Sequence, residues 1–312
     1  MKAHPNLLIF CIGFLAFFQP TGLMAQESLT IAVPKTLSSI PFLELQNKIV
    51  GDRKVVIEIF EDHALAFAQF LSKKYDLILT GFSQGAANSR SNPELIHLLT
   101  PVWGVSSLIT LDKTLSGLTD FKALEGKILT VPFAGSPLDQ QLRALLRSQS
   151  LEGLVRIQYS PIPQQIPLLL SGQVQAISLP EPLASRLILQ NGAYEVFSFS
   201  QAWGAIAQGD PRSPQVSLFA LRNHKDSWGS VMPALLNALK ATTKRVKELP
   251  EEVAPQYTEF FGLPTPLLIR GLTKTLLEIT PFEAEKKAIL TYQRLVGDTK
   301  PLGQGFFLET RP

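Results

Sequence analysis

Residues 121–146 read FKALEGKILTVPFAGSPLDQQLRALL, and residues 167–187 read PLLLSGQVQAISLPEPLASRL. In the first stretch Lys127–Val131 has the length and apolarity of a buried strand. The small-residue turn Ala134-Gly135-Ser136-Pro137 follows it, and then a helical pattern begins. Ser136 suits the N-cap, Pro137 the first helical position, and Asp139 the first turn. A helix leaves its first N–H groups without partners and carries partial positive charge there, so the turn holds donors toward whatever lies beyond the strand end. An anion or a polar head group fits such donors; a cap with no ligand contact explains Ser136 equally well. The second stretch is a helix closing at Gly172, a strand over Val174–Ser178, and a Pro180-Glu181-Pro182 turn into another helix. Two strand–turn–helix units side by side form half of an open α/β domain, with its ligand cleft at the carboxyl ends of the strands.

Outward from this centre, strands and helices keep alternating, which predicts parallel sheets covered by helices. Strands are expected at Leu29–Val33, Val55–Phe60, Asp76–Thr80, Ser106–Leu111, 155–159, 194–199 and Val216–Leu221. Helices are expected at Ile40–Ile49, Ala64–Lys73, 137–148, 163–171 and 181–190, with a mainly helical tail after Leu221. Ser106–Leu111 reads as the strand leaving a first lobe, and Val216–Leu221 as the return. Crossovers are therefore expected near 108–113 and 213–219. Two connecting segments would make a hinge; a single large α/β domain is the competing reading.

The LEGK–strand–Gly-Ser–helix segment followed by LLSGQVQAISLPEP resembles the periplasmic solute-binding proteins of ABC importers. The similarity is greatest to the branch that binds nitrate, sulfonates, taurine and thiamine-precursor pyrimidines. Thr30–Pro34 looks like that family's first strand, His63–Phe82 like its helix–strand unit ending at the cleft, and Trp228–Leu263 like its closing helices. The resemblance implies a two-lobe, type II periplasmic-binding-protein-like α/β fold with a two-segment hinge. Residues 26–110 and 217–312 would form lobe 1 and residues 111–216 lobe 2. It also implies a monomer that captures a small organic molecule, uses no cofactor and hands its ligand to the membrane permease of an ABC importer. A ligand sensor without transport is a related alternative. Thiamine-pyrimidine synthases resemble the same fold and work as cytosolic enzymes.

The chain has 312 residues, 45% hydrophobic and 18% charged, enough for one or two large cores. Its formal charge is +3, with no basic cluster, which argues against nucleic acid as a partner. Met1–Ala25 has Lys2, an apolar run from Leu7 to Phe18, and a small residue ahead of a polar start. That describes a cleaved secretory signal (1–25), and its run is short of the ~20 residues a membrane-spanning helix needs. The only cysteine, Cys11, lies in that run, so the mature chain is expected to have neither disulfide nor cysteine-bound metal.

Four loops fall just past expected strand ends: Lys35-Thr36-Leu37-Ser38-Ser39, Thr80-Gly81-Phe82-Ser83-Gln84, Ala134-Gly135-Ser136 and Pro180-Glu181-Pro182. Hydroxyls, exposed N–H groups and small residues suit a small polar ligand. The candidate ligand-binding residues are Ser38, Ser39, Phe82, Ser83, Trp103, Gly135, Ser136 and Glu181. Phe133 and Trp203 are possible additions to an aromatic wall with Phe82 and Trp103; core packing is the alternative for each. Glu181 would accept from an amino group or ring N–H, or else cap the helix after it. Lys35, Arg90 and Arg212 are the only nearby cations, so a bare oxyanion is poorly served. Gly81-Phe82-Ser83-Gln84-Gly85 matches the G-x-S-x-G nucleophile elbow and raises a secreted serine hydrolase as the alternative function. Ala86–Pro93 is a poor helix for an elbow to enter, however, and only His224 with an acid such as Asp210 has the right chain order. The histidines lack metal-ligand spacing.

Overall fold

A computed structural model describes residues 27–308; the expected leader lies outside the described residues. The strands are β1 (Ser28–Pro34), β2 (Ile49–Val50), β3 (Arg53–Phe60), β4 (Leu77–Gly81), β5 (Leu95–Gly104), β6 (Ser106–Thr110), β7 (Ile128–Val131), β8 (Arg156–Tyr159), β9 (Ala176–Pro180), β10 (Tyr194–Ser198), β11 (Val216–Leu221) and β12 (Leu276–Leu277). The helices are α1 (Ile40–Leu43), α2 (His63–Leu71), α3 (Phe82–Ser89), α4 (Pro137–Ser148), α5 (Ile162–Leu170), α6 (Leu183–Asn191), α7 (Phe199–Ile206), α8 (Lys225–Trp228), α9 (Met232–Glu248), α10 (Pro250–Val253), α11 (Thr258–Phe261), α12 (Thr265–Lys274) and α13 (Phe282–Val296). Among the described residues, no helix is long and apolar enough to cross a membrane.

The strands form two sheets. The first runs β12-β5-β11-β4-β1-β3-β2 and the second β10-β6-β9-β7-β8. In the first, β3 and β4 are parallel to β1, while β11 lies antiparallel between β4 and β5. Thus β1, β3, β4 and β5 all point one way. In the second, β8 and β9 are parallel to β7, and β6 is antiparallel to both β9 and β10.

Alternation along the strands sorts the side chains into layers. In β1, Leu29, Ile31 and Val33 pack with Trp228 of α8 and with Leu235 and Leu239 of α9, whereas Ala32 faces Phe67, Phe70 and Phe82 of α2 and α3. The second sheet buries Leu129 and Val131 against Leu142 and Leu145 of α4. Ile177 and Leu179 face Leu169, Ala184 and Leu187 of α5 and α6.

Several elements depart from the sequence-based reading. Ser106–Thr110 belongs to the second sheet, so the chain changes sheet at Val105, ahead of the crossover expected near 108–113. Strand β5 was not expected, because Pro101 sits inside its run and a proline removes a ladder donor. The strand accommodates it where the register against β11 is already irregular, and Pro101 O still accepts from Glu278 N–H. Strand β9 lies two residues later than expected, which puts Glu181 directly past its end. The expected 40–49 helix shrinks to α1, since Ile49 already pairs with Lys54. A real helix, α3, occupies 82–89 despite weak formers, because Phe82, Gly85, Ala86 and Ser89 are its buried face.

That face sets a testable constraint. A Cβ on Gly85 would fall 2.0 Å from the Phe219 ring, while one on Gly81, the residue that caps the start of α3, meets nothing within 4 Å. Gly85→Ala is expected to cost about 1–3 kcal/mol by overpacking, whereas Gly81→Ala should stay within about 0.5 kcal/mol of wild type. Urea unfolding of the two variants checks both.

Candidate functional site

Because β5 ends at Gly104 and β6 begins at Ser106, the carboxyl ends of β1, β4 and β5 meet the second sheet at one junction. Ser106 pairs with Pro180 and Ser107 with Ser198, so β9 and β10 also finish there. Backbone bonds stitch it together. Glu181 N–H donates to Val105 O at 2.7 Å, Ser213 N–H to Trp103 O at 3.2 Å, Gln215 N–H to Val102 O at 3.0 Å, and Phe82 N–H to Gln215 O at 3.0 Å. Helix α12 closes one flank. A Cβ on Gly271 would lie 2.5 Å from Leu37 Cδ1 and 3.2 Å from Pro182 Cβ, so its backbone touches loops from both sheets. Arg270 Nε donates to Ser185 Oγ at 3.2 Å across the same flank.

The four expected loops therefore sit at this junction, but their residues differ in what they offer. Ser38 Oγ pairs with Thr36 Oγ1 at 2.6 Å, and Ser39 Oγ donates to Pro34 O at 2.5 Å; both residues are buried in their own loop. Phe82 lies in a ring cluster with His97, Tyr292 and Phe306 inside the first sheet's core. Trp103 is fully buried there too, donating Nε1–H to Glu278 O. The aromatic wall expected from Phe82, Trp103 and Trp203 is thus core packing at the junction's edge, while Phe133 stays 61% exposed. Sequence alone does not separate these outcomes, because a large ring between strands serves either. Trp203 Nε1 and Ser83 Oγ are buried without hydrogen bonds of normal geometry, although the Tyr292 hydroxyl lies beside Ser83. Burial holds the Tyr292 phenol above its ordinary range, and its hydroxyl donates to Gln140 Oε1 on α4 at 2.9 Å.

The helix N-termini of the second sheet are already answered from within. Ser136 caps α4, its Oγ accepting from Asp139 N–H at 3.2 Å. Gly135, at φ +75°, turns its N–H onto Asp139 Oδ2 at 2.8 Å. Asp139 is 4% exposed, and its other oxygen receives Arg143 Nε at 3.0 Å. Of the donors expected to face a ligand at Gly135-Ser136, the Gly135 N–H is engaged by this carboxylate, which sequence reasoning had placed only as a first-turn acid, and the Ser136 N–H by Phe133 O at 3.2 Å. The Ser136-x-x-Asp139 spacing of a capping box was the signal available. Glu181 sits at the start of α6 and is 6% exposed. Its carboxylate accepts Ser185 N–H at 3.2 Å, and the Ser185 hydroxyl lies beside it as a second donor. Burial pushes its pKa up from the usual carboxylate value, partly offset by Ser185, with Glu195 adding to the rise and Lys274 opposing it.

The cations that the sequence placed near these loops are paired with carboxylates, whereas Arg270 on α12 bonds the Ser185 hydroxyl. Lys35 lies 3.5 Å from Glu61, and Arg90 lies 2.5 Å from Asp298. Arg212 grips Asp210 through two nitrogens at 2.8 and 2.9 Å. No group of three or more metal-ligating side chains occurs among the described residues. A cavity of about 210 Å³ between α4, α7 and β10 lies toward the far end of α4. Its Gln149 already bonds Phe121 N and Thr119 O, and its Glu195 bonds Ser107, so it lacks free polar groups on those side chains.

The elbow motif meets one structural condition and misses two. Strand β4 does run into helix α3, correcting the expected poor helix. Ser83, however, is not among the non-glycine residues with positive φ, so the strained turn of a nucleophile is missing. No histidine hydrogen-bonds its Oγ. His97 Nε2 is 2.9 Å from Thr100 Oγ1, and His224 Nε2 is 3.9 Å from Asp76, not Asp210.

No protein-family model matches the chain, and no curated protein is matched. Among solved structures, an ABC transporter protein from Parabacteroides distasonis superposes with a TM-score of 0.74 at 17% identity, over 91% of this chain and 99% of that one. The periplasmic aliphatic sulphonate-binding protein from Escherichia coli gives 0.69 at 16% identity, over 92% and 95%. A Candida albicans protein described as having the generic periplasmic binding protein fold gives 0.62 at 12% identity, over 91% and 97%. What is shared at these identities is the fold: this chain has the periplasmic binding protein fold, as the sequence resemblance implied.

Asp139→Ala would leave the Gly135 N–H without its acceptor and the Arg143 guanidinium with only the Tyr159 hydroxyl. The expected loss is about 1–3 kcal/mol, read as a lower urea midpoint at unchanged slope.

Proposed function

We propose that this protein is the periplasmic substrate-binding component of an ABC-type importer. It captures a small organic solute between two lobes and presents the closed form to a membrane permease. The observation that carries the reading is the convergence of loops after β1, β4, β7 and β9 at one junction between two sheets joined at Val105 and again through residues 207–215. The similarity in fold to importer-binding proteins supports it.

In this reading the seven-stranded sheet is the core of the first lobe and the five-stranded sheet that of the second. Rotation about the two connections opens the junction. Solute that contacts both lobes favours the closed state by its differential affinity for it. The chain then works as a secreted monomer, binding without catalysis. The hydrolase alternative is disfavoured because the Ser83 hydroxyl lies beside Tyr292 and has no histidine hydrogen-bonded to it.

Native mass spectrometry of protein purified from periplasm without dialysis tests the reading. A small mass that leaves on denaturation is expected; its absence, together with no thermal stabilisation by any solute, would sink it. Two variants sharpen the mechanism. Gly271→Val places branched carbons between Leu37 and Pro182, and should weaken solute binding about tenfold or more, or at least 1.4 kcal/mol. Small-angle scattering should then report a larger radius of gyration with solute present. Ser83→Ala should leave any background ester hydrolysis unchanged, where a true nucleophile would lose nearly all of it.

A further inference from the structure

We infer that the solute held at this junction presents a hydrogen-bond-donating nitrogen, an ammonium, amidinium or ring N–H, to the carboxylate of Glu181. The site is not an oxyanion site built on the α4 N-terminus. This inference rests on the binding reading above and names the chemical class that reading leaves open.

Three independent features converge on it. First, the one turn that sequence offers to an anion is occupied. Asp139 Oδ2 takes Gly135 N–H, Ser136 Oγ takes Asp139 N–H, and Pro137 has no N–H to give. A sulfonate or carboxylate approaching α4 would meet the buried Asp139 carboxylate, which already holds the Gly135 N–H. Second, the cations that sequence places near the loops are all held. Lys35, Arg90 and Arg212 lie against Glu61, Asp298 and Asp210, and Arg143 lies against Asp139. Third, Glu181 is buried at the junction, and among the described residues its four lone-pair sites meet hydrogen-bond donors from Ser185 alone, the N–H and the hydroxyl. An ionised carboxylate in that position is costly unless a charged or N–H partner completes it. Among the described residues no salt bridge to Glu181 forms. On α12, Arg270 turns its Nε to Ser185 Oγ, and Lys274 lies 3.3 Å from Glu195 of β10. Its backbone is fixed to Val105 O at the sheet crossover, so the carboxylate is carried by the segment about which closure turns.

The groups facing Glu181 are Ser185 on α6, Glu195 on β10, and Arg270 and Lys274 on α12. With its folded-state pKa raised above 4.5, Glu181 supports the unliganded fold below that value and loses this contribution as pH climbs through the raised one. A nitrogen donor from solute would restore it.

The test uses the full mature chain, with Glu181→Gln beside it. Thermal shift is read with two probe sets, agmatine, benzamidine and 2-aminopyrimidine against methanesulfonate and ethanesulfonate. Native mass spectrometry identifies what the undialysed protein retains. The expected result is stabilisation by at least one nitrogen-donor probe, or a retained solute bearing such a nitrogen. Glu181→Gln should weaken that binding about tenfold or more. Without solute the variant should melt above wild type at about pH 7.5 and equal to it near pH 4, which shows that it folds. A sulfonate bound with equal affinity by wild type and Glu181→Gln would overturn this inference and leave the binding function standing. No retained mass and no response to either set would overturn the binding function and this inference together.

Discussion

One residue separates the two sheets. Strand β5 ends at Gly104 and β6 starts at Ser106, leaving only Val105 between them. A link this short allows no loop in which the second sheet could be turned away from the first. The amino end of β6 must therefore start where β5 finishes, and its antiparallel neighbours β9 and β10 must end there. The parallel set in the first sheet ends at the same place because β4 and β5 are both antiparallel to β11. The meeting of loops from both sheets is thus a consequence of connectivity. Close packing reinforces it: a Cβ on Gly104 would lie 2.7 Å from Ser200 Cβ, so α7 is pressed against the crossover.

Given that geometry, what the junction can bind is decided by which polar groups are already spent. Helices aimed at a shared junction bring their positive ends to it. Here two carboxylates, Asp139 and Glu181, stand at those ends and neutralise part of that field. Asp139 has three donors, from Gly135, Arg143 and, at 3.4 Å, Tyr159. Glu181 has those of Ser185 alone. The contrast between two acids in similar places is what separates a structural cap from a group with capacity to spare.

Much of this was legible from residue order. The strand–Ser136-Pro137–helix unit has cap, first-turn proline and apolar periodicity all in agreement, and it forms as expected in β7 and α4. Strand β5 was hidden by Pro101, and α3 by the low helix propensity of FSQGAANS. In both, tertiary packing overrides local preference, since every residue of β5 is buried and Phe82 anchors α3 among rings. At the site, position past a strand end identified the right loops. It did not separate side chains that look outward from those that look into a core, as Phe82 and Trp103 show. Nor did it reveal Asp139's role as internal anion, because that depends on Gly135 turning its N–H back through a positive φ.

Helix α13 adds a second tie between the sheets that order alone does not suggest. Near its start Glu285 accepts from Thr100 N–H in β5 and lies 3.5 Å from His97 Nε2, all within the first sheet's interior. Two turns later Tyr292 reaches Gln140 on α4, beneath the second sheet. Between them the helix packs Ala288 and Ile289 into the ring cluster of Phe82, Trp103 and Trp203. One element thus grips both sides of the crossover, through a buried carboxylate on one and, on the other, the Tyr292 hydroxyl and the Leu295 carbonyl, which accepts from Arg147 of α4. The two holds differ in kind. The Glu285 network is sealed in the first sheet's core, whereas the bonds from Tyr292 and Leu295 reach α4 of the second sheet. The Trp203 and Tyr292 rings, 5.3 Å apart, pack α7 against α13 in that same core.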